Sequence, residues 1–230
     1  MPGFSQSAGS PPSKILRCFT SILRAYDQNA VDGAASIPYD GTEAALCRLQ
    51  GGGTMEDFGG FCPVRIRVLS VEGLSDRLLG LAQGACVGLF LDAALIGPFG
   101  LAPLVEALRA RCRLVLIDAI APDPTQADVC AALERFGNQR PDWLVAIGGG
   151  SAMDLAKAVL ALHDPLAGQR PTPQAVIRMI QEKAYKGMPK AAQMILVPTT
   201  AGTGSEMTRW ATLWDADKAA KYSVKDEDLY

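Results

Sequence analysis

The 230-residue sequence predicts an α/β domain, a mainly parallel sheet with helices on both faces. Three observations carry that expectation. Short apolar runs, among them Val87-Gly-Leu-Phe-Leu91, Leu114–Ile117, Leu144–Ile147 and Gln193–Val197, alternate with stretches whose apolar residues recur at helical spacing. Such alternation calls for crossover units joining parallel strands. Loops rich in glycine and hydroxyl residues follow two of these strands, at 148–151 and 198–206, and ligands of parallel sheets sit beyond strand carboxyl ends.

Taken in order, residues 1–13 (MPGFSQSAGSPPS) lack the apolar content to bury a core and are expected to be disordered. Ile15, Leu16, Phe19, Ile22, Leu23 and Tyr26 then repeat at helical spacing, with no acidic residue before Asp27. A short docking helix fits this better than an organelle transit element, whose arginine content is usually higher. Residues 14–63 read as an N-terminal extension and linker, with one short helix over Thr42–Leu49 and glycine clusters at 51–53 and 59–60. The organised domain is expected over 64–230. Its elements are a strand over Arg65–Ser70, a helix carrying Leu74–Leu81, and a strand Val87–Leu91 ending at Asp92. A helix Leu101–Arg111, the strand Leu114–Ile117 and a helix Val129–Phe136 come next. The strand Leu144–Ile147, a helix Ser151–Leu162, a helix Pro173–Tyr185 and the strand Gln193–Val197 complete the series. Trp210 and Trp214 alternate around Thr212, as in a further strand.

Composition narrows the function. Hydrophobic residues make up 49% and charged ones 20%, an ordinary globular mix, and a net charge of −2 provides no basic field for nucleic acid or anionic lipid. The six cysteines, at 18, 47, 62, 86, 112 and 130, include no C-x-x-C pair and read as reduced core thiols. His163 is the single histidine, so a site needing two or more cannot be assembled from this sequence alone. In its His-Asp-Pro-Leu context it reads as a surface or helix-end residue. The most apolar window, Ala85–Val105, is broken by Asp92, glycines and prolines, so no membrane span is expected.

The glycine turn Gly148-Gly-Gly-Ser151 stands between a strand and a helix start. There a diphosphate can approach the backbone, and free N–H groups and the helix dipole both favour negative charge. A plain tight turn is the competing reading. Ser151 and Asp154 have the spacing of a capping box at that helix start. The second loop, Pro198-Thr-Thr-Ala-Gly-Thr-Gly-Ser-Glu206, offers hydroxyls and amides in the density that ribose and phosphate oxygens require.

Together, Gly148-Gly-Gly-Ser-x-x-Asp-x-Ala-Lys157 and Pro198–Glu206 resemble the iron-containing (group III) alcohol dehydrogenase family. Ala121-Pro-Asp-Pro-Thr125 is a third match, with Asp123 in place of the family's usual Asn. The resemblance covers roughly 64–230, the family's nucleotide-binding half, and implies a Rossmann-like domain of the dehydroquinate-synthase type. It also implies hydride transfer between NAD(H) and a small alcohol or aldehyde. By position, Gly149, Gly150 and Ser151 are expected at the cofactor diphosphate, and Thr199, Thr200 and Thr203 toward the nicotinamide. Asp92 is expected at the adenosine ribose, where a carboxylate favours NAD over NADP. Asp123, Asp154 and Lys221 complete the set, with Asp154 expected chiefly to cap the helix. The G-x-G-x-x-G fingerprint is absent, since Met153 stands at its third glycine. The run Arg209-Trp-Ala-Thr-Leu-Trp-Asp215 looks somewhat like members that reduce phosphonoacetaldehyde.

The family holds Fe²⁺, or sometimes Zn²⁺, through one Asp and three His residues of a helical C-terminal domain, and those positions are expected beyond residue 230. A truncated gene model, half of a split enzyme and a dinucleotide-binding remnant are the three accounts this leaves. A homodimer, or a partner supplying the missing half, is expected. So is a cytoplasmic location, with mitochondrion or plastid as the alternative.

Overall fold

The computed structural model describes residue 67 and residues 69–215 and 217–229. The expectations for 1–13, for the helix near 14–26 and for Thr42–Leu49 lie outside these residues. Half of the expected strand 65–70 does too, and the described Arg67, Leu69 and Ser70 are not in a strand. Instead Ser70 caps helix α1 (Val71–Ala82), its side chain accepting from the Gly73 N–H.

Strand β1 (Cys86–Leu91) is followed by helix α2 (Ala102–Arg111), strand β2 (Arg113–Ile117) and helix α3 (Gln126–Phe136). Strand β3 (Trp143–Gly148), helix α4 (Gly150–Leu162), helix α5 (Pro173–Gln181) and strand β4 (Gln193–Pro198) come next. The four strands form one parallel sheet in the order β2-β1-β3-β4. Leu91 lies opposite Ile147, and Gly148 opposite Pro198, so β1, β3 and β4 end side by side. Asp92, Gly149 and Thr199 therefore leave the sheet at one edge.

Alternation along the strands builds two cores. Val87, Leu89 and Leu91 join Val145 and Ile147 against Leu78 and Ala82 of α1 and Leu104, Val105 and Leu108 of α2. Cys86, Phe90, Leu144 and Ala146 face the other way, against α3, α4 and α5. Helices thus cover both faces, as the apolar runs predict. Gly88 is required on this second face: a Cβ there would lie 2.4 Å from the Phe136 ring and 2.6 Å from Leu144 Cδ2.

The chain then forms a hairpin of β5 (Trp210–Asp215) and β6 (Ala220–Lys225), antiparallel and separate from the sheet. Its Ala211, Leu213 and Val224 complete the core around α4. Covered by sheet on one side and hairpin on the other, α4 buries every residue from Leu155 to Leu162, Lys157 included.

Two helix boundaries differ from expectation by three residues or more. Helix α3 begins three residues early because Thr125 and Asp128 form a reciprocal capping box. Helix α5 stops at Gln181 rather than Tyr185. Lys183 takes a left-handed φ of 55°, and the Ala184 N–H returns to the Met179 carbonyl, the Schellman way of ending a helix. The turn sends Tyr185 back into the core. His163 is indeed at a helix end, as the C-cap of α4, but it is buried rather than on the surface. Its ring nitrogens contact Asp164 and the Gln139 carbonyl, and its ring meets Phe136 edge-on.

Candidate functional site

The glycine turn and the threonine loop meet at the sheet's carboxyl edge. The Thr199 N–H donates to the Gly148 carbonyl at 2.9 Å, extending the β3–β4 ladder into the loops. Thr200 and Thr203 arch over the glycines. A Cβ on Gly149 would lie 3.1 Å from Thr200 Oγ1, and one on Gly150 would lie 3.3 Å from Thr203 Cγ2. Gly148 has its own constraint, since a Cβ there would stand 2.6 Å from that of Ala152. Glycine at all three positions keeps the turn close to α4, and the half-buried backbone of Gly149 and Gly150 stays within reach of a ligand.

Helix α4 starts at this turn without a side-chain cap. Its N-cap is Gly149, which corrects the expected Ser151–Asp154 capping box. Ser151 and Asp154 are already inside the helix, so neither can reach back over the first turn. The first-turn N–H groups of α4 remain available to an anion.

Ser151 and Asp154 have other work. Ser151 Oγ accepts the Asp123 N–H at 3.2 Å, tying the 121–125 loop to the glycine turn. Asp123 has a φ of 55°, a left-handed conformation that Asn and Asp adopt more readily than most residues. That is a physical reason why an Asp can stand where the family uses Asn. Asp154 accepts from the Ser205 hydroxyl at 2.7 Å and from the Thr212 N–H at 3.0 Å, so both its oxygens hold protein groups.

Asp92 lies beside Gly148, with its N–H on the Ile147 carbonyl. One carboxylate oxygen caps the short 3₁₀ turn Ala93–Leu95 through the Ala94 N–H. Lys221 is more distant. It lies over the Trp214 ring, and the Trp214 N–H donates to the Pro124 carbonyl at 2.8 Å, one residue from Asp123. The structure thus gathers Asp92, Asp123, Gly149, Gly150, Ser151, Thr199, Thr200 and Thr203 at one edge. Lys221 is connected to them through Trp214, and Asp154 lies behind them.

Sequence reasoning assigned no role to Lys157, which is wholly buried. Its ammonium donates to the carbonyls of Ser205, Thr208 and Trp210, the last at 3.1 Å. Burial pulls it down to about 8, while the charges of Asp154 and Glu206 oppose that shift. Lys157 and Asp154 together fasten the segment that follows the threonine loop onto α4. A lysine set within the otherwise apolar run Leu155–Leu162 was the available signal. Glu206 Oε2 is buried without a hydrogen-bond partner among the described residues.

The sequence model of the family described as iron-containing alcohol dehydrogenase matches residues 71–230. The chain belongs to the iron-containing alcohol dehydrogenase family. It is 37% identical over 166 residues to the phosphonoacetaldehyde reductase of Streptomyces viridochromogenes, covering 68% of this chain and 40% of that protein. With aldehyde-alcohol dehydrogenase 2 of Entamoeba histolytica it shares 36% identity over 132 residues, 55% of this chain and 15% of the other. The crystal structure of an iron-containing alcohol dehydrogenase from Thermotoga maritima superposes with a TM-score of 0.53 at 25% identity, over 68% of this chain and 41% of that one. The sulfoacetaldehyde reductase of Bifidobacterium kashiwanohense, solved with NAD+, superposes at 0.52 and 21% identity, over 68% and 39%, and shares the fold. The chain therefore spans about two fifths or less of the length of these relatives.

The described residues fit a dinucleotide better than a metal. Glycines that a Cβ would crowd against two threonines, beside an uncapped helix start, suit a diphosphate. No group of three or more His, Cys, Asp or Glu among the described residues is placed to hold a metal ion. The family's iron finds no seat in them. No helix of the described residues is long and apolar enough to cross a membrane.

Proposed function

We propose that this domain binds NAD(H) at the sheet's carboxyl edge and serves an oxidoreductase acting on a small alcohol or aldehyde. A bound nicotinamide supplies hydride transfer. Gly149, Gly150 and Ser151 hold the diphosphate on the first turn of α4 through backbone N–H groups and the Ser151 hydroxyl. Thr199, Thr200 and Thr203 line the path toward the nicotinamide, and the carboxylate of Asp92 accepts from the adenosine ribose, disfavouring a 2′-phosphate. Asp123 holds Ser151 in place, Asp154 and Lys157 hold the threonine loop in place, and Lys221 adds positive charge at the Asp123 side. The substrate reading follows the 37%-identical relative named as a phosphonoacetaldehyde reductase: a short aldehyde with a phosphonate at its far end.

One observation carries the proposal. Thr200 and Thr203 close over the glycines at a helix start that, alone among the described α-helices, has neither a side-chain cap nor a proline in its first turn. Titration calorimetry with NADH tests it. Binding should be measurable in the wild type and lost in Ser151→Asp, whose carboxylate would face the diphosphate. Equal heats from both proteins would reject the site.

A further inference from the structure

The hairpin has an inner face that packs on α4 and an outer face whose side chains pair across its two strands. On the outer face, register places Trp210 opposite Lys225, Thr212 opposite Ser223 and Trp214 opposite Lys221. Both lysines lie over indole rings, Lys221 Nζ at 3.8 Å from the Trp214 centroid and Lys225 Nζ at 4.3 Å from that of Trp210. Stacking of this kind restrains each ammonium without neutralising it. Trp210 is 46% exposed.

Three of the nearby carboxylates are paired elsewhere, while Glu206 and Asp228 form no ion pair among the described residues. Asp226 pairs with Lys190 at 3.0 Å, both side chains largely buried, while Glu227 pairs with Arg209 and Asp215 with Lys218. Among the described residues, no carboxylate comes within ion-pair distance of Lys221 or Lys225. The backbone beneath is held firmly. The Lys225 N–H donates to the hydroxyl of buried Tyr185 at 3.1 Å, and the Trp210 carbonyl accepts from Lys157.

The two ends of this face lead to different parts of the site. Trp214 and Lys221 adjoin Pro124, on the diphosphate side. Trp210 stands three residues after the Ser205–Met207 turn that ends the threonine loop, the end assigned above to the nicotinamide, and Lys225 is its cross-strand partner. The two lysines are four residue steps apart along the strand, about 13 Å, too far for one small anion to bridge.

We infer that Trp210 and Lys225 form the subsite for the far end of the substrate, a tetrahedral oxyanion, phosphonate or sulfonate, on a short aldehyde or alcohol. The Lys225 ammonium takes the oxyanion, the Trp210 indole covers the methylene that joins it to the reacting carbon, and the Ser223 hydroxyl is within the same face. The inference rests on the dinucleotide reading above, which sets where the nicotinamide ends.

Tryptophan emission tests it on the 230-residue chain, titrated with 2-hydroxyethylphosphonate, 2-hydroxyethanesulfonate and uncharged ethylene glycol, with and without NADH. A saturable change is expected with one or both anions and none with the glycol. Lys225→Met should weaken it at least tenfold, Lys225→Arg should largely restore it, and Lys218→Met, at the hairpin turn, should leave it as in wild type. Tighter binding of the phosphonate dianion assigns the phosphonate class, and the reverse order assigns the sulfonate class. A glycol response equal to that of the anions, or a Lys225→Met protein that responds like wild type, overturns the inference. NADH calorimetry on the same samples separates the two readings. NADH heats without an anion response reject the subsite alone, whereas a Lys225-dependent anion response without NADH heats supports the subsite and rejects the cofactor assignment.

Discussion

Replacing Lys157 by Met keeps the length of the side chain and removes its three donors. In the native fold they serve the carbonyls of Ser205, Thr208 and Trp210. The Ser205 contact is fully buried, so its carbonyl would lose its donor with no water to replace it, at a cost of about 1–3 kcal/mol. The Thr208 and Trp210 contacts are only partly buried, and water can offset part of their loss, leaving about 0.5 kcal/mol each. Relief of the ammonium's own burial reduces the total, so a net loss of about 2 kcal/mol is expected in urea unfolding. The same change frees the segment that supports Thr200 and Thr203, so NADH affinity should fall about tenfold, equivalent to about 1.4 kcal/mol. The pH dependence carries the sign of the ammonium's burial. Its folded value, about 8, lies below the ordinary lysine value of 10.5, so between those limits the unfolded chain binds more protons. Wild-type stability, measured relative to Lys157→Met, should therefore rise as pH increases from about 8 to 10.5 and flatten above that window. A Lys157→Met protein that matches wild type in urea midpoint and in NADH affinity would refute the assigned role.

Asp92→Gly removes the carboxylate at the end of β1, and the ratio of NADPH to NADH affinity should rise about tenfold by calorimetry. An unchanged ratio would take Asp92 out of the ribose site. Gly88→Ala drives a methyl group into Phe136 and Leu144, so a loss of about 1–3 kcal/mol is expected in thermal or urea unfolding, with no preference between cofactors altered. Asp123→Ala places a residue poorly suited to left-handed φ where the 121–125 loop meets Ser151. A loss of about 1 kcal/mol in stability and weaker NADH binding should follow; a protein unchanged in both would mean the loop does not support the turn.

Much of the fold was legible because its physics is local. Apolar runs of strand length between helical repeats are enough to specify crossover units, and Asp92, Gly149 and Thr199 each follow such a run. Helix ends were read less well. Three-residue spacing at Ser151 and Asp154 fits a capping box, but the helix begins at Gly150, and the box forms instead at Thr125 and Asp128. Spacing names residues able to cap, and only the path of the preceding loop selects which pair does. The hairpin was visible only as alternation around Thr212, because a pairing partner is not encoded in one strand's pattern.

By itself, then, the sequence determined the sheet-and-helix alternation, the glycine turn, the threonine loop and the absence of a second histidine, all properties of neighbouring residues. Tertiary structure decided what those parts do together. It brought Thr200 and Thr203 over glycines fifty residues away, gave Asp154 to Ser205 and Thr212, and buried Lys157 among three carbonyls. It also laid Lys221 and Lys225 over tryptophans of the opposing strand. Those contacts depend on parallel strands ending in register and on a hairpin closing over α4, and long-range geometry of that kind leaves no periodic trace along the chain.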